Sequence, residues 1–146
     1  MDYSPAYILS RYLIDQSLLV EPGESGAWPV FVNQLPSGDL VDDDAVGCIN
    51  TTPVKDGRVM GGLPLFHYGF QLLVRSSAHN TGYAKAEALA DALGAVDDPQ
   101  IVVGSSTYRI VNVTQTTGVV PLGQEEGTER RELFSINFLA TIEEVA

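Results

Sequence analysis

Two histidines, a run of aspartates and two serine pairs are the residues of this chain that could do chemistry. A histidine acting as a general base or metal ligand needs a second group at defined spacing. His67 and His79 have none nearby. His67 falls in an alternating, strand-like run and His79 just ahead of a helix, so both read as structural. Asp39, Asp42, Asp43 and Asp44 crowd carboxylates as a calcium loop does. Such a loop needs a glycine midway and a glutamate at its close. Counted from Asp42, Gly47 fits but Pro53 takes the closing place, so a solvated acidic turn is the better reading. Ser76-Ser77 and Ser105-Ser106 have no histidine–acid pair to activate a nucleophile and read as capping or turn residues. Gly61-Gly62 lacks the lysine and hydroxyl of a phosphate loop. Cys48 lies in the apolar run Ala45-Val46-Gly47-Cys48-Ile49, the setting of a buried, inert thiol. No catalytic residue, cofactor or metal is expected.

The positive charges are more informative. The chain carries 8 basic and 19 acidic residues, a net charge of −11. Beyond the first helix the arginines are Arg58, Arg75, Arg109, Arg130 and Arg131, and Arg75, Arg109 and Arg131 fall on or at the ends of strand-like runs. A planar guanidinium suits pairing with carboxylates of a neighbouring copy, which makes these arginines candidates for an oligomer interface. They would serve equally well by pairing within the chain or standing in water, and both readings stay open.

The same charge argues against wrapping DNA or RNA, which requires a basic face. At 146 residues with 45% apolar content, the chain is long enough for one domain, residues 1–146, with a real core. No apolar run approaches the ~20 residues that span a bilayer, and Met1-Asp2-Tyr3-Ser4-Pro5 lacks the basic start of a signal peptide. A single cysteine excludes an internal disulfide and suits a reducing compartment. Asn50-Thr51-Thr52 and Asn112-Val113-Thr114 then match the glycosylation sequon only by chance.

The elements that position these residues follow from periodicity. Ser4-Pro5 starts a helix that continues to Leu19, ended by Glu21-Pro22-Gly23. Trp28 to Asn33 and Ala45 to Asn50 read as strands, with Asp39 to Asp44 exposed between them. Thr51 to Pro64 reads as an irregular loop. Leu65 to Ser76 alternates, with Phe66, Tyr68, Phe70, Leu72 and Val74 on one face. A helix capped by Asn80 or Thr81 runs to about Ala95, with a stripe of Ala84, Ala88, Leu89, Ala92, Leu93 and Val96 and with Lys85 toward water. Ile101 to Val103 and Thr107 to Gln115 are strands, Thr114 to Arg130 is a loop, and Arg131 to Ile142 closes the chain with Phe134, Ile136, Phe138, Ala140 and Ile142 on one face. The expectation is an α+β domain of order α-β-β-β-α-β-β-β, an antiparallel or mixed sheet covered by two amphipathic helices.

From Phe66 to Ile142 this layout resembles the tail terminator (tail completion, or minor tail) proteins of long-tailed bacteriophages. The segments that carry the resemblance are Phe70-Gln71-Leu72-Leu73-Val74-Arg75, the alanine-rich run Tyr83 to Leu93, Tyr108-Arg109-Ile110, the turn Pro121-Leu122-Gly123-Gln124-Glu125, and Arg130-Arg131-Glu132-Leu133-Phe134-Ser135-Ile136-Asn137-Phe138. The opening helix also fits, whereas Val20 to Pro64 matches nothing in that pattern. The resemblance implies a virion protein at the head-proximal end of a tail, assembled in the bacterial cytoplasm. It implies a homo-oligomer, a six-membered ring that caps the tail tube protein, halts its polymerisation, presents a surface to the head–tail connector or neck proteins, and lets DNA pass its lumen without specific binding. Arg75, Arg109, Arg130, Arg131, Pro121, Gln124 and Glu125 are then the candidate interface residues. Two other readings compete: a head-completion or neck ring protein, and, in a different class, a small hydrolase or ligand-binding domain.

Overall fold

The computed structural model describes residues 2–38, 41–58, 64–125 and 131–145, with backbone only at 55–58 and 64–66. The first helix, α1 (Pro5–Asp15), starts as expected: Ser4 accepts a hydrogen bond from the Tyr7 amide, and Pro5 occupies the first turn. It ends a turn earlier than the apolar spacing suggests. Ser17 adopts φ +62°, the Ser17 amide donates to Ile14 and the Leu18 amide to Leu13. This paired pattern closes a helix through one left-handed residue; here that residue is a serine rather than a glycine, so composition does not announce it.

Strands β1 (Val30–Val32), β2 (Ala45–Asn50), β3 (Val54–Arg58) and β4 (Pro64–Ser76) precede helix α2 (His79–Gly94), and β5 (Gln100–Val103), β6 (Ser106–Gln115), β7 (Val120–Gln124) and β8 (Glu132–Val145) follow it. The lateral order is β1-β2-β4-β8-β6-β5. Among the described strands only β1 and β2 pair in parallel; the other pairings are antiparallel. Two segments expected to be irregular loops contain strands. β3 continues β2 along β4, and β7 continues β6 along β8.

These pairings overturn the expected architecture. Among the described residues, the eight strands hold more than twice as many residues as the two helices. The molecule is mostly sheet, curled and mixed, with two helices, and not an α+β sheet covered by a helical layer. The reason lies in what α1 touches. It packs on β1, β2 and β4 at one side of the sheet and on β5 at the other, so the curl brings both ends of the sheet to one helix. Ala6 ties that helix to β2: its amide donates to Asn50 Oδ1 at 2.9 Å, and its carbonyl accepts from the Cys48 thiol at 3.3 Å. On the far side the Asp2 amide donates to the Tyr108 hydroxyl, and Tyr3 stacks on Tyr7 while meeting Tyr108 edge-on.

The core face of the two long strands is as the alternation predicts. Phe70, Leu72 and Val74 of β4 and Phe134, Ile136, Phe138, Ala140 and Ile142 of β8 are all buried, and Phe70 stacks on its register partner Phe138 at 4.8 Å. Tyr68 is half-buried and the Phe66 side chain lies outside the described residues. Burying each large apolar side chain stabilises the fold by about 1.5–3 kcal/mol. Helix α2 is rotated from its predicted stripe. Gly82, Ala86, Leu89, Ala90 and Leu93 are buried, while Ala84 and Ala88 are exposed. Gly82 sets the rotation, since a Cβ there would lie 2.6 Å from the Phe134 ring. The helix has no side-chain cap at Ala78, and Asn80 and Thr81 fall inside its first turn. Lys85 does not face water: it is half-buried, donates to the Leu18 carbonyl and lies 5.4 Å above the Trp28 ring, and burial lowers its pKa.

Candidate functional site

The second face of the sheet, opposite the aromatic core, holds a cluster of charge. Arg75, next to last in β4, follows the core residue Val74 and so points the other way. It is 0% exposed, and Arg131, just before β8, is 2% exposed. A buried guanidinium must satisfy a fork of donors. Arg75 donates to the carbonyls of Pro36, Asp42 and Asp43 and, at 3.1 Å, to Glu125 Oε2. Arg131 donates to the carbonyls of Gly38 and Val41, each at 2.9 Å, and to Asp43 Oδ1 at 2.8 Å. Its Nη1 also lies 3.5 Å from Glu125 Oε1, which accepts no hydrogen bond among the described residues.

Two guanidiniums thus face two carboxylates, Glu125 and Asp43, and the remaining donors are taken up by backbone oxygens. Removing charges from water is costly unless they are paired and fully hydrogen-bonded, and this arrangement meets most of that demand. The hydrogen bond that Arg131 donates to Asp43 raises the Arg131 pKa further, against the opposing effect of burial. The Glu125 amide donates to the Arg131 carbonyl at 2.7 Å, closing the β7–β8 connection at its base. Asp44 accepts from the Ser76 hydroxyl at 2.8 Å. Of the acidic segment expected to be exposed, Asp42 is exposed and Asp43 and Asp44 are half-buried, and the carbonyls of Val41, Asp42 and Asp43 are held to the arginines.

The interface candidates separate into distinct groups. Arg75, Arg131 and Glu125 come together in this buried cluster, their charged groups engaged within the chain. Arg109, on β6, is 38% exposed and pairs with Asp98 and Glu143, which are themselves about half exposed. Pro121 and Gln124 lie on β7, all of whose residues are exposed. Arg130 and Asp39 lie outside the described residues, as do Gly61 and Gly62. The histidines do not converge: His67 meets Thr141 near the end of β8, and His79 meets Glu132 at its start. Among the described residues no group of histidine, cysteine and carboxylate side chains is placed to hold a metal, and no helix is long and apolar enough to cross a membrane. Burial pushes the Cys48 thiol up to about 12.

Sequence reasoning missed the exposed β7 edge as a structural unit. Val120 and Leu122 are 42% and 51% exposed. β7 pairs with β8, and no other described strand pairs with it. Leu122 has no register partner, because Pro121 pairs with Phe134 and Gly123, at φ +85°, pairs with Leu133. A bulge of this kind re-aims a side chain. The signal available in the sequence was the lack of any charged residue from Ile110 to Gln124.

The chain matches no known protein family and no curated protein. Its fold is similar to that of a chain in the solved structure described as the virion of a native gene transfer agent (GTA) particle, with a TM-score of 0.51 and 18% identity over 80% of this chain and 78% of that one.

Proposed function

We propose that this chain is a structural, non-enzymatic component of a phage-like particle, and that it forms the ring that caps the tail tube and stops its growth. The observation that carries the reading is the fold likeness over four-fifths of the chain to a subunit of a gene transfer agent virion. A fold alone does not fix a function; the finer assignment leans on the tail-terminator pattern between Phe66 and Ile142. Ring closure requires a head-to-tail contact between copies. The exposed strand β7 and the half-exposed Arg109 are candidates for that contact, while Arg75, Arg131 and Glu125 stiffen the frame that presents it. A net charge of −11 would let DNA slide through an acidic lumen, so a purified ring should release DNA even at low salt.

Particles assembled without this chain test the role. Overlong tubes in electron micrographs are the expected result. Tails of normal length that fail to join heads would instead assign the chain to the neck, the second reading that the same fold likeness supports.

A further inference from the structure

We infer that residues 20–28 form a hinged lid, held shut by Lys85 of α2, whose ammonium sits between the Leu18 carbonyl and the Trp28 ring. Val20 and Pro29 meet as an isolated parallel bridge at the neck of the lid. The Val20 amide donates to the Trp28 carbonyl at 3.1 Å, and the Val30 amide donates to the Val20 carbonyl at 3.0 Å. Beyond that neck, Pro22 to Ala27 are all exposed. The Glu24 amide donates to the Glu21 carbonyl at 3.2 Å, and the Glu21 side chain pairs with Arg11 of α1, both partly exposed. A segment held by solvent-exposed bonds opens locally, at less cost than unfolding the whole chain.

The lid turns through three residues at positive φ. Gly23 and Gly26, at +89° and +130°, take that conformation without strain. Trp28, at +67°, does not, because a bulky side chain is disfavoured there. A residue so placed persists only where its surroundings hold it. Lys85 supplies a charged contact to its ring: the ammonium lies 5.4 Å from the ring centre and donates to the Leu18 carbonyl. That carbonyl belongs to the turn that ends α1, so one ammonium ties α2, the end of α1 and the lid together. Lys85 is half-buried, and a cation over an indole is worth more away from water. Opening the lid gives up this contact and the two neck bonds. It also relaxes the Trp28 backbone and returns the ammonium to water. Gains opposed by losses in this way are what an element with two positions needs.

The lid also walls a groove. Trp28 and Pro29 form one side of a space of about 290 Å³, and Asp42, Asp43, Asp44 and Ser77 form the other. The carbonyls of Asp42 and Asp43 are fixed by Arg75, so the acidic wall stays in place when the lid moves. Opening widens the groove and uncovers the indole. The sheet need not move, because the Pro29 carbonyl still accepts from the Val46 amide and the Asn33 amide still donates to the Cys48 carbonyl.

Native-state amide exchange on the full chain is the first test. The Val20 and Val30 amides should open together, at least about tenfold more readily than those of Leu72 and Ile136, register partners in the centre of the sheet. Exchange of all four only through global unfolding overturns the inference. The second test is Lys85→Met, which keeps an apolar stem and removes the ammonium. It should raise exchange at Val20 and Val30 by about tenfold, the worth of a half-buried cation over an indole together with its hydrogen bond, and leave Leu72 and Ile136 as they were. Trp28 is the only tryptophan, so its emission should move to longer wavelength in the same variant. Unchanged exchange at the two neck amides overturns the inference whatever the emission does. Where the variant does not fold, the wild-type exchange pattern decides alone.

Discussion

The molecule builds the same device twice and stabilises the two copies differently. In one arm β2 and β3 run as an interrupted strand along β4; in the other β6 and β7 run as an interrupted strand along β8. Both arms leave the common sheet at opposite ends, because β4 and β8 are antiparallel. The far end of the first arm, β3 with β4 from Pro64 to His67, is a two-stranded ribbon, since β8 pairs with β4 only from Tyr68 onward. The far end of the second is backed by a third strand. β8 from Glu132 to Ser135 pairs with β7 on one side and with β4 from Leu73 to Ser76 on the other, and the two arginines lock its base. A lone two-stranded ribbon is marginal in water, while a third strand makes pairing durable. The contrast shows that one hairpin geometry can serve as a yielding contact or a rigid one, depending on what lies behind it. Amide hydrogen exchange should therefore report faster opening in β3 than in β7.

Four substitutions probe that contrast. The largest effect is expected from Arg75→Leu, which leaves Glu125 buried beside an unpaired carboxylate oxygen and strips three carbonyls of their donor. Breaking a buried pair from one side costs about 3–5 kcal/mol. Denaturant unfolding should show that loss, and exchange in β7 should rise toward the level of β3. A variant within about 1 kcal/mol of wild type would mean that the third strand alone holds the second arm.

The first arm has a steric point of weakness instead. A Cβ at Gly69 would lie 2.6 Å from the Thr52 carbonyl, at the step where β2 passes into β3. Gly69→Ala should cost about 1–3 kcal/mol, as overpacking does, and should loosen β3 while sparing β7.

Alkaline titration reaches the base of the same arm. Burial holds the Cys48 thiol protonated to about 12, against about 9 for a thiol in water. Between those values the unfolded chain loses its proton and the folded chain does not, so stability present below pH 9 falls as pH rises, by about 1.4 kcal/mol per unit. The difference in unfolding free energy between wild type and Cys48→Ala, followed from pH 10 to 11, should show that slope; parallel curves would mean that the thiol reaches water.

The smallest change is expected at Arg109, whose ion pairs with Asp98 and Glu143 are solvent-exposed. Arg109→Ala should alter the melting midpoint by no more than about 0.5 kcal/mol of stability, the worth of surface pairs.

What the sequence disclosed follows the same division. Elements that bury one face announced themselves: β8 and β4 alternate cleanly, and the α1 start carries Ser4-Pro5. β3 and β7 did not, because each sits at an edge and needs no apolar face to be held by its neighbour. Every residue of β7 is exposed, so periodicity has nothing to report. The buried cluster was half legible. Arg75 and Arg131 stood out as arginines at strand ends, but their principal partners are backbone carbonyls of residues 36–43, and a carbonyl carries no residue identity. The stripe on α2 was misplaced for a related reason: Gly82, a residue with no side chain to contribute to any apolar pattern, sets the closest approach to Phe134.

That the arginines grip backbone rather than side chains has a consequence for how this loop can change. Pro36, Gly38, Val41 and Asp42 are held by oxygens that any residue would supply, and only Asp43 contributes its own side chain to Arg131. Pro36, Val41 and Asp42 can therefore exchange side chains without losing these bonds, while Gly38, at φ +121°, Asp43 and Asp44, which accepts from Ser76, are held to their residue types. Sequence change along this segment is thus tolerated position by position, according to whether backbone or side chain makes the bond.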